Sequence, residues 1–152
     1  VRQLKQSLPA EAKAVEAARR AFTMGEAAEA INVFREAEEE GSELAVIFQA
    51  VYYDGAKDKT GQEECLTRIA KKYPFFNLML GESYARKYGE TEDFSYIQKS
   101  IECYYKADEY GMLIPKYASA LWRMYDYFGQ KGMLEYDQQE MERLKTLAKR
   151  TY

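Results

Sequence analysis

The first candidates for catalytic residues in this chain are closely spaced carboxylates. Glu63 and Glu64 form one acidic pair. A second acidic group consists of Glu90, Glu92 and Asp93. Paired carboxylates can share the roles of general acid and general base. Both groups, however, fall in predicted loops or at helix starts, where acidic side chains are favoured by the helix dipole. They are therefore weak candidates for catalysis.

The two cysteines, Cys65 and Cys103, are the other reactive side chains. Zinc sites usually contain close cysteine pairs, and these residues are far apart in the sequence. A cysteine nucleophile needs an activating base, and the chain contains no histidine. Histidine is also the commonest metal ligand. We expect free, half-buried thiols, leave a disulfide open, and expect no metal site.

No glycine-rich phosphate loop or nucleophile elbow occurs in the sequence, so we expect no enzyme activity and no cofactor. The 152 residues carry a net charge of -3, which argues against a nucleic-acid partner. The apolar runs are far shorter than the roughly 20 residues of a membrane span, so no direct membrane insertion is expected. A protein or a peptide is the partner that remains.

The beginning of the chain leaves its compartment open. The sequence starts at Val1 and has no apolar signal-peptide region. Its first residues are already patterned as a helix, and whether the chain is a segment cut from a longer precursor is left open. The bacterial periplasm and the cytoplasm are both open as its location.

Helical periodicity runs through the whole chain, without strand alternation. In the first predicted helix, of about a dozen residues, small apolar residues occupy one face. These residues are Ala14, Ala17, Ala18, Ala21 and Phe22. Glycines are predicted to end the first helix of each pair, because a left-handed cap is least costly at glycine. These glycines are Gly25, Gly55, Gly89 and Gly129.

The second helix of each pair is predicted to end at Gly41, Pro74 and Gly111, which are spaced by 33 and 37 residues. A period in this range, made of paired short helices, is typical of a helical solenoid. The sequence therefore predicts an all-α fold of about four helix pairs in a single domain, 1–152. A helix bundle with evenly spaced loops is the alternative. The predicted units span about 11–41, 43–74, 76–111 and 114–150.

Residue identities in the first unit add a family resemblance. The segment AFTMGEAAEAINVFREA, from Ala21 to Ala37, resembles the tetratricopeptide repeat. That repeat places an aromatic residue before the glycine of the turn and then A-I-x-x-aromatic-x-x-A in the second helix. The matching positions are Phe22, Gly25, Ala30, Ile31, Phe34 and Ala37.

The later units are more similar to the Sel-one-like repeat, whose first helix follows L-G-x-x-Y-x-x-G. Leu80, Gly81 and Tyr84 match this pattern in the third unit, and KSIECYYKADEYG, 99–111, follows the second helix of the family. The leucine and tyrosine places of the second and fourth units are held by Phe48, Tyr52, Leu121 and Tyr125. Gln49 and Trp122 depart from the pattern, since they replace a small residue where helices approach closely. We expect those pairs to be splayed or repacked.

The resemblance implies a right-handed α-α superhelix whose first helices line a concave wall that binds a partner. The tetratricopeptide pattern assigns ten positions to this wall: Arg19, Phe22, Thr23, Tyr53, Asp54, Glu82, Arg86, Arg123, Asp126 and Tyr127. The alternative is that these are ordinary solvated residues and ion pairs within helices. The resemblance also implies a bacterial interaction scaffold or adaptor, for instance in an envelope exopolysaccharide or secretion assembly. An inhibitor or immunity-type protein that sequesters one toxin or enzyme, and an architectural role through exposed end faces, are the other hypotheses.

An acidic run at the end of the second helix leaves two further interpretations open. Its members are Glu36, Glu38, Glu39, Glu40 and Glu43. Such a run opposes the dipole of a helix end, which favours cations. The run is either an acidic docking patch for a basic partner or a solvating surface.

Overall fold

A computed structural model describes residues 2–150 of the chain, with side chains from Leu8 to Arg150. The described residues form eight α-helices and no strand. The all-α fold predicted from the sequence is therefore confirmed. The helices are α1 Arg2–Met24, α2 Ala27–Glu39, α3 Glu43–Gly55, α4 Lys59–Ala70, α5 Phe76–Thr91, α6 Ser95–Asp108, α7 Pro115–Gln130 and α8 Gln138–Ala148.

The chain divides into two compact units, Val1–Tyr73 and Pro74–Tyr152. The first unit holds two helix pairs, α1 with α2 and α3 with α4, and α3 also packs on α1 and α2. The second unit holds the pairs α5 with α6 and α7 with α8, and α6 contacts α7. Sequential packing of helix pairs is compatible with a helical-repeat fold. A single domain with one superhelix stays a prediction.

The first unit is held together by small residues around one ring. Phe34 is fully buried among alanines of α1, α2 and α3, and its ring centroid lies 5.6 Å from that of Phe48. Alanines let helix backbones approach closely, and the phenylalanine fills the remaining space. Four of the five residues predicted on one face of α1 are thus in the core, together with Ala10; they are Ala14, Ala17, Ala18 and Ala21. The fifth, Phe22, is 59% exposed.

Helix α1 is about twice as long as predicted. It has 23 residues and runs through Pro9, which is exposed. A proline inside a helix removes one backbone donor. Ala10, directly after Pro9, is buried and belongs to the same helix. The predicted end of the third helix at Gly55 is confirmed, and the left-handed residue that follows it is Lys57, with φ of 59°.

Larger side chains fill the core of the second unit. Ser100, which is fully buried, donates its hydroxyl to the carbonyl oxygen of Gly81 at 2.6 Å. The apolar core of the unit is built from all four helices and from the α6–α7 loop. The main buried members are Leu78, Ile97, Ile101, Tyr104, Leu113, Tyr117, Leu121, Phe128 and Leu144.

Two predicted helix stops of the second unit lie inside helices. Helix α5 passes Gly89 and ends at Thr91, and α7 passes Gly129 and ends at Gln130. The residues with left-handed φ are Glu92, at 57°, and Gly132, at 72°. A glycine ends a helix only where the chain turns into the left-handed region, and elsewhere it is merely a weak helix former.

Helix α4, predicted to run to Pro74, already ends at Ala70, whereas the predicted ends at the three glycines below are confirmed. Gly25, Gly41 and Gly111 have positive φ values of 73°, 102° and 70°. Pro115 occupies the first turn of α7, where its missing N–H costs no intrahelical hydrogen bond. No helix in the described part of the chain is both long and apolar enough to span a membrane.

The two residues that depart from the repeat pattern occupy different environments. Gln49 is buried, and its Nε2 donates to Glu38 Oε1 at 2.7 Å and to the Ala45 carbonyl at 3.2 Å. Trp122 is half-buried, and its Nε1 has no hydrogen-bond partner among the residues described. The Nζ atom of Lys145 lies 5.1 Å from the centre of its ring. Each large side chain is thus accommodated by a neighbour of its own unit.

Candidate functional site

Three of the ten predicted wall residues lie on the last two turns of α1, and all three are exposed. Arg19 is held by Glu16, with Nη2 2.7 Å and Nε 3.0 Å from the carboxylate oxygens. The Thr23 hydroxyl donates to the Arg19 carbonyl at 2.5 Å. Phe22 is 59% exposed and is the apolar member of the group. Arg19 therefore already has an ionic partner, whereas the Phe22 ring faces solvent.

Tyr53 and Asp54 lie near the end of α3 but differ in environment. Tyr53 is half-buried, and its hydroxyl accepts a hydrogen bond from Arg35 Nη2 at 2.7 Å. Its ring lies against Gly61, where an added Cβ would come within 2.7 Å of Cγ. Tyr53 thus joins α2, α3 and α4 within the first unit. Asp54 is exposed. The role of Arg35 was not apparent from helical spacing.

In the second unit, Glu82 and Arg86 lie one turn apart on the solvent-facing side of α5. The Tyr117 hydroxyl donates to Glu82 Oε2 at 2.9 Å, and Lys116 Nζ lies 3.9 Å from the same oxygen. Burial, followed by the bond to Glu82, raises the pKa of Tyr117 to about 12. Glu82 therefore links α5 to the start of α7. Tyr117 was not among the predicted positions, because nothing in the sequence indicates that its hydroxyl bonds Glu82 on another helix.

The other three predicted residues, Arg123, Asp126 and Tyr127, lie on α7 and make contacts within that helix or just beyond its end. Arg123 Nη2 donates to the Ser119 hydroxyl at 3.0 Å. Asp126 accepts from Gln130 Nε2 at 3.2 Å. Tyr127 is 52% exposed and accepts from Lys131 Nζ at 2.7 Å, with that cation 4.2 Å from the ring centre. These three residues form a surface strip on α7 that has a cation at each end.

The described arginines differ in their partners. Four form ion pairs with glutamate or aspartate at 2.5 to 3.0 Å, namely Arg19, Arg20, Arg68 and Arg143. Arg86 has neither an ion pair nor a hydrogen-bond partner within the described residues, and Arg123 has only the Ser119 hydroxyl. Both are exposed. Their charges are therefore available to a carboxylate from outside the chain.

Most carboxylates of the acidic run are bonded within the first unit. Lys13 Nζ lies 3.1 Å from Glu36 and 3.2 Å from Glu40, which ties α1 to α2. Glu38 pairs with Arg68 at 3.0 Å and accepts from Gln49, which ties α2 to α3 and α4. These bonds join helices of the first unit. Neither the docking-patch interpretation nor the solvating-surface interpretation of the run accounts for them.

The last member of the run, Glu43, begins α3 and is bonded to residues just after α4, at the end of the same helix pair. It forms an ion pair with Lys72 and accepts a hydrogen bond from the Tyr73 hydroxyl. These contacts hold the pKa of Glu43 below its usual value. Glu39 stays exposed without a bonded partner among the described residues. The surface available for docking on this run is therefore much smaller than the sequence indicates.

Glu11 is a structural residue that the sequence pattern missed. Its Oε1 accepts from the backbone N–H of Glu43 at 2.7 Å, and its Oε2 accepts from that of Leu44 at 3.3 Å. Oε2 also accepts from the Ser42 hydroxyl at 3.1 Å, and Ser42 Oγ in turn accepts from the Ala45 N–H at 3.0 Å. A carboxylate from α1 thus caps the N-terminus of α3, where unpaired N–H groups and the dipole favour an anion.

The two cysteines differ from the sequence prediction in their burial. Neither Cys65 nor Cys103 forms a disulfide, and both are buried, more deeply than the predicted half-burial. Burial raises the pKa of the Cys65 thiol, which disfavours the nucleophilic thiolate. Across residues 2–150, His, Cys, Asp and Glu form no group of three or more that could hold a metal ion.

Comparisons with family models, curated proteins and solved structures give no match to this chain. The resemblance to tetratricopeptide and Sel-one-like repeats therefore rests on the residues that carry it. Gly81 shows one physical basis for the pattern, since an added Cβ there would lie 2.7 Å from Tyr104 Cε1. The structure supports the coarser statement of an all-helical protein made of sequential helix pairs.

Proposed function

We propose that the chain is a non-catalytic interaction module, of the tetratricopeptide and Sel-one-like class, that binds an acidic segment of a partner protein or peptide. The observation that carries the proposal is the pair of exposed arginines, Arg86 on α5 and Arg123 on α7, neither bonded to a carboxylate among the described residues. The first helices of both pairs in the second unit therefore present a guanidinium that has no carboxylate partner among the described residues. A guanidinium can bind a carboxylate through two parallel hydrogen bonds.

Two exposed side chains on the same two helices would supply the rest of a recognition surface. Met79 on α5 is 43% exposed, and Tyr127 on α7 is 52% exposed. Arginine and tyrosine are enriched among the residues that dominate binding energy at protein interfaces, and methionine adapts to irregular surfaces. Arg86, Arg123, Met79 and Tyr127 are named here the arginine surface. A mixed surface of this kind suits an extended peptide that carries both acidic and apolar residues.

The predicted wall residues of the first unit contribute less to the proposal. Arg19 is neutralised by Glu16, and Tyr53 bonds Arg35 and packs on Gly61. Binding a partner through either residue would require breaking an existing contact. Phe22 stays available as an apolar contact because its ring is exposed. We therefore place the main recognition on the second unit.

The biological setting is proposed from the resemblance alone. Repeats of this class serve as adaptors in bacterial envelope assemblies, including exopolysaccharide and secretion complexes. An adaptor of this kind would bind its partner reversibly, with micromolar affinity. An inhibitor would bind one partner in the nanomolar range or tighter, across a large interface.

The experiment uses the chain as bait in a lysate of the source organism, followed by calorimetric titration of the captured protein or its acidic segment. We expect a micromolar dissociation constant that weakens as salt is raised, since exposed charges are screened beyond about 10 Å at 0.1 M salt. A nanomolar, salt-insensitive one-to-one complex would contradict the adaptor and favour the inhibitor. Turnover of a captured small molecule would contradict a non-catalytic role.

A further inference from the structure

A cleft of about 450 Å³ opens in the second unit, next to the loop that joins α7 to α8. Its volume lies within the range of about 300 to 1,000 Å³ typical of ligand sites. Two tyrosines, one from α6 and one from α7, form part of its wall. An exposed methionine and three acidic residues from the loop and the start of α8 form another part. These residues are Tyr105, Tyr125, Met133, Glu135, Asp137 and Glu140.

All the charged residues that line this cleft are acidic. Glu140 accepts from the Tyr105 hydroxyl at 3.0 Å and pairs with Arg143 at 2.5 Å. Asp137 caps α8 by accepting from the N–H groups of Gln139 and Glu140 at 3.0 and 3.3 Å. Glu135 is exposed, and the described residues offer it neither a hydrogen bond nor an ion pair. Its negative charge is therefore not compensated from within the lining.

The tyrosine pair adds a surface that attracts cations. The ring centroids of Tyr105 and Tyr125 lie 6.5 Å apart, with the planes at 58°. The negative face of an aromatic ring binds an ammonium or guanidinium group within about 6 Å of its centre. The same unit already uses this contact elsewhere, where Lys145 Nζ lies 5.1 Å from the Trp122 ring. Rings and carboxylates on one cleft are complementary to an organic cation with an apolar stem.

We propose that this cleft receives a lysine or arginine side chain of a partner polypeptide, with its stem against Met133 and the tyrosine pair and its cation at Glu135. This proposal depends on the proposed function in one respect only, namely that the cation belongs to a partner polypeptide. The cleft would give the partner a second contact, one that prefers a cation, whereas the arginine surface prefers an anion. Tyr125 follows Arg123 by two residues, which is about 200° around a helix. The cleft and the arginine surface therefore lie on opposite sides of α7.

The test titrates the full chain with capped tripeptides and follows backbone amide resonances. The probe is acetyl-Gly-Lys-Gly-amide, with the arginine tripeptide as a second probe. The control replaces lysine by norleucine, which keeps the stem and lacks the ammonium group. We expect weak, saturable binding of the basic tripeptides, with shifts at Glu135 and its neighbours, and no saturable binding of the norleucine tripeptide. No partner is needed, so failure here is separate from failure of the proposed function.

A matched pair of variants locates the cation. Glu135→Gln removes the free carboxylate and should weaken lysine tripeptide binding about threefold, as for an exposed ion pair. Glu142→Gln makes the same charge change on the exposed side of α8, outside the cleft, and should leave binding unchanged. The proposal would be overturned if both variants weakened binding equally, or if the norleucine tripeptide bound as well as the lysine tripeptide. It would also be overturned if choline bound saturably while neither basic tripeptide bound.

Discussion

The ring of Tyr104 covers Gly81 so closely that a methyl group on Gly81 would lie 2.7 Å from Cε1 and 2.9 Å from Cδ1. Tyr104 is 2% exposed and lies on α6, so the ring sits in the seam between α5 and α6. The Ser100 hydroxyl bonds the Gly81 carbonyl at the same seam. The missing side chain of Gly81 is therefore what allows these two helices to pack around a tyrosine.

We predict that Gly81→Ala destabilises the second unit. Alanine is favoured over glycine in a helix by about 0.5 to 1 kcal/mol, but overpacking a core costs about 1 to 3 kcal/mol. The buried tyrosine cannot move away easily, so the net change should be a loss of free energy of unfolding. Urea unfolding followed by circular dichroism measures it.

Gly89→Ala is the matched control in the same helix. Gly89 lies inside α5, and an added Cβ there meets no atom within 4 Å. We expect this variant to gain stability by about 0.5 to 1 kcal/mol. If both substitutions stabilise the protein, the close contact of Gly81 with Tyr104 is not present in solution.

The cap that Glu11 places on α3 leads to a second prediction. Glu11→Ala leaves the N–H groups of Glu43 and Leu44 without their acceptor and should cost about 1 to 2 kcal/mol, as for loss of an N-cap. Glu11→Gln keeps an amide oxygen as acceptor and should cost less. Glu39→Ala, which removes an exposed carboxylate of α2, should change the free energy of unfolding by no more than about 0.5 kcal/mol. Equal effects of Glu11→Ala and Glu39→Ala would exclude the cap.

A third prediction concerns alkaline pH. Burial raises the pKa of Tyr117 to about 12, above its ordinary value of 10.0. The unfolded chain therefore loses this proton first as pH rises. The stabilisation is fully present below about pH 10 and is lost as pH rises toward 12, with a slope approaching 1.4 kcal/mol per pH unit.

Tyr117→Phe isolates this group. At neutral pH the variant should be less stable by about 1 kcal/mol, because the hydrogen bond to Glu82 is lost. Above about pH 10 the difference from the unmodified chain should shrink, since phenylalanine has no proton to release. Urea unfolding from neutral pH to about pH 11 measures the difference. A gap that is constant over this range would show that Tyr117 ionises as in the unfolded chain.

Periodicity predicted most of the fold because buried and exposed residues alternate with the helical turn. The alanine face of α1 and the turns at Gly41 and Gly111 were predicted, since small residues and left-handed glycines have strong local preferences. The end of α5 was not predicted. It depends on Glu92 adopting a left-handed φ, which local preference does not favour.

The candidate site was predictable only as a set of surface positions. Helical spacing places Arg86 on the exposed face of α5 and puts Glu16 within reach of Arg19, three residues away, but it does not reveal that Arg86 has no ionic partner among the described residues. The bonds of the acidic run could not be predicted either, since Lys13 and Arg68 are distant in sequence from the glutamates they bind. Partners that lie on another helix are set by packing, which the pattern of one helix does not contain.

The central claim is that Arg86 and Arg123 bind the partner, and charge reversal of both tests it most directly. The control is Lys71→Glu with Lys149→Glu, which changes net charge equally at two exposed lysines without ion pairs in the described region. Calorimetric titration of the captured partner should show that Arg86→Glu with Arg123→Glu weakens binding by about tenfold or more, equivalent to about 1.4 kcal/mol. The control should bind as the unmodified chain does. Unchanged binding by the arginine variant, or equal weakening by the control, would contradict the account.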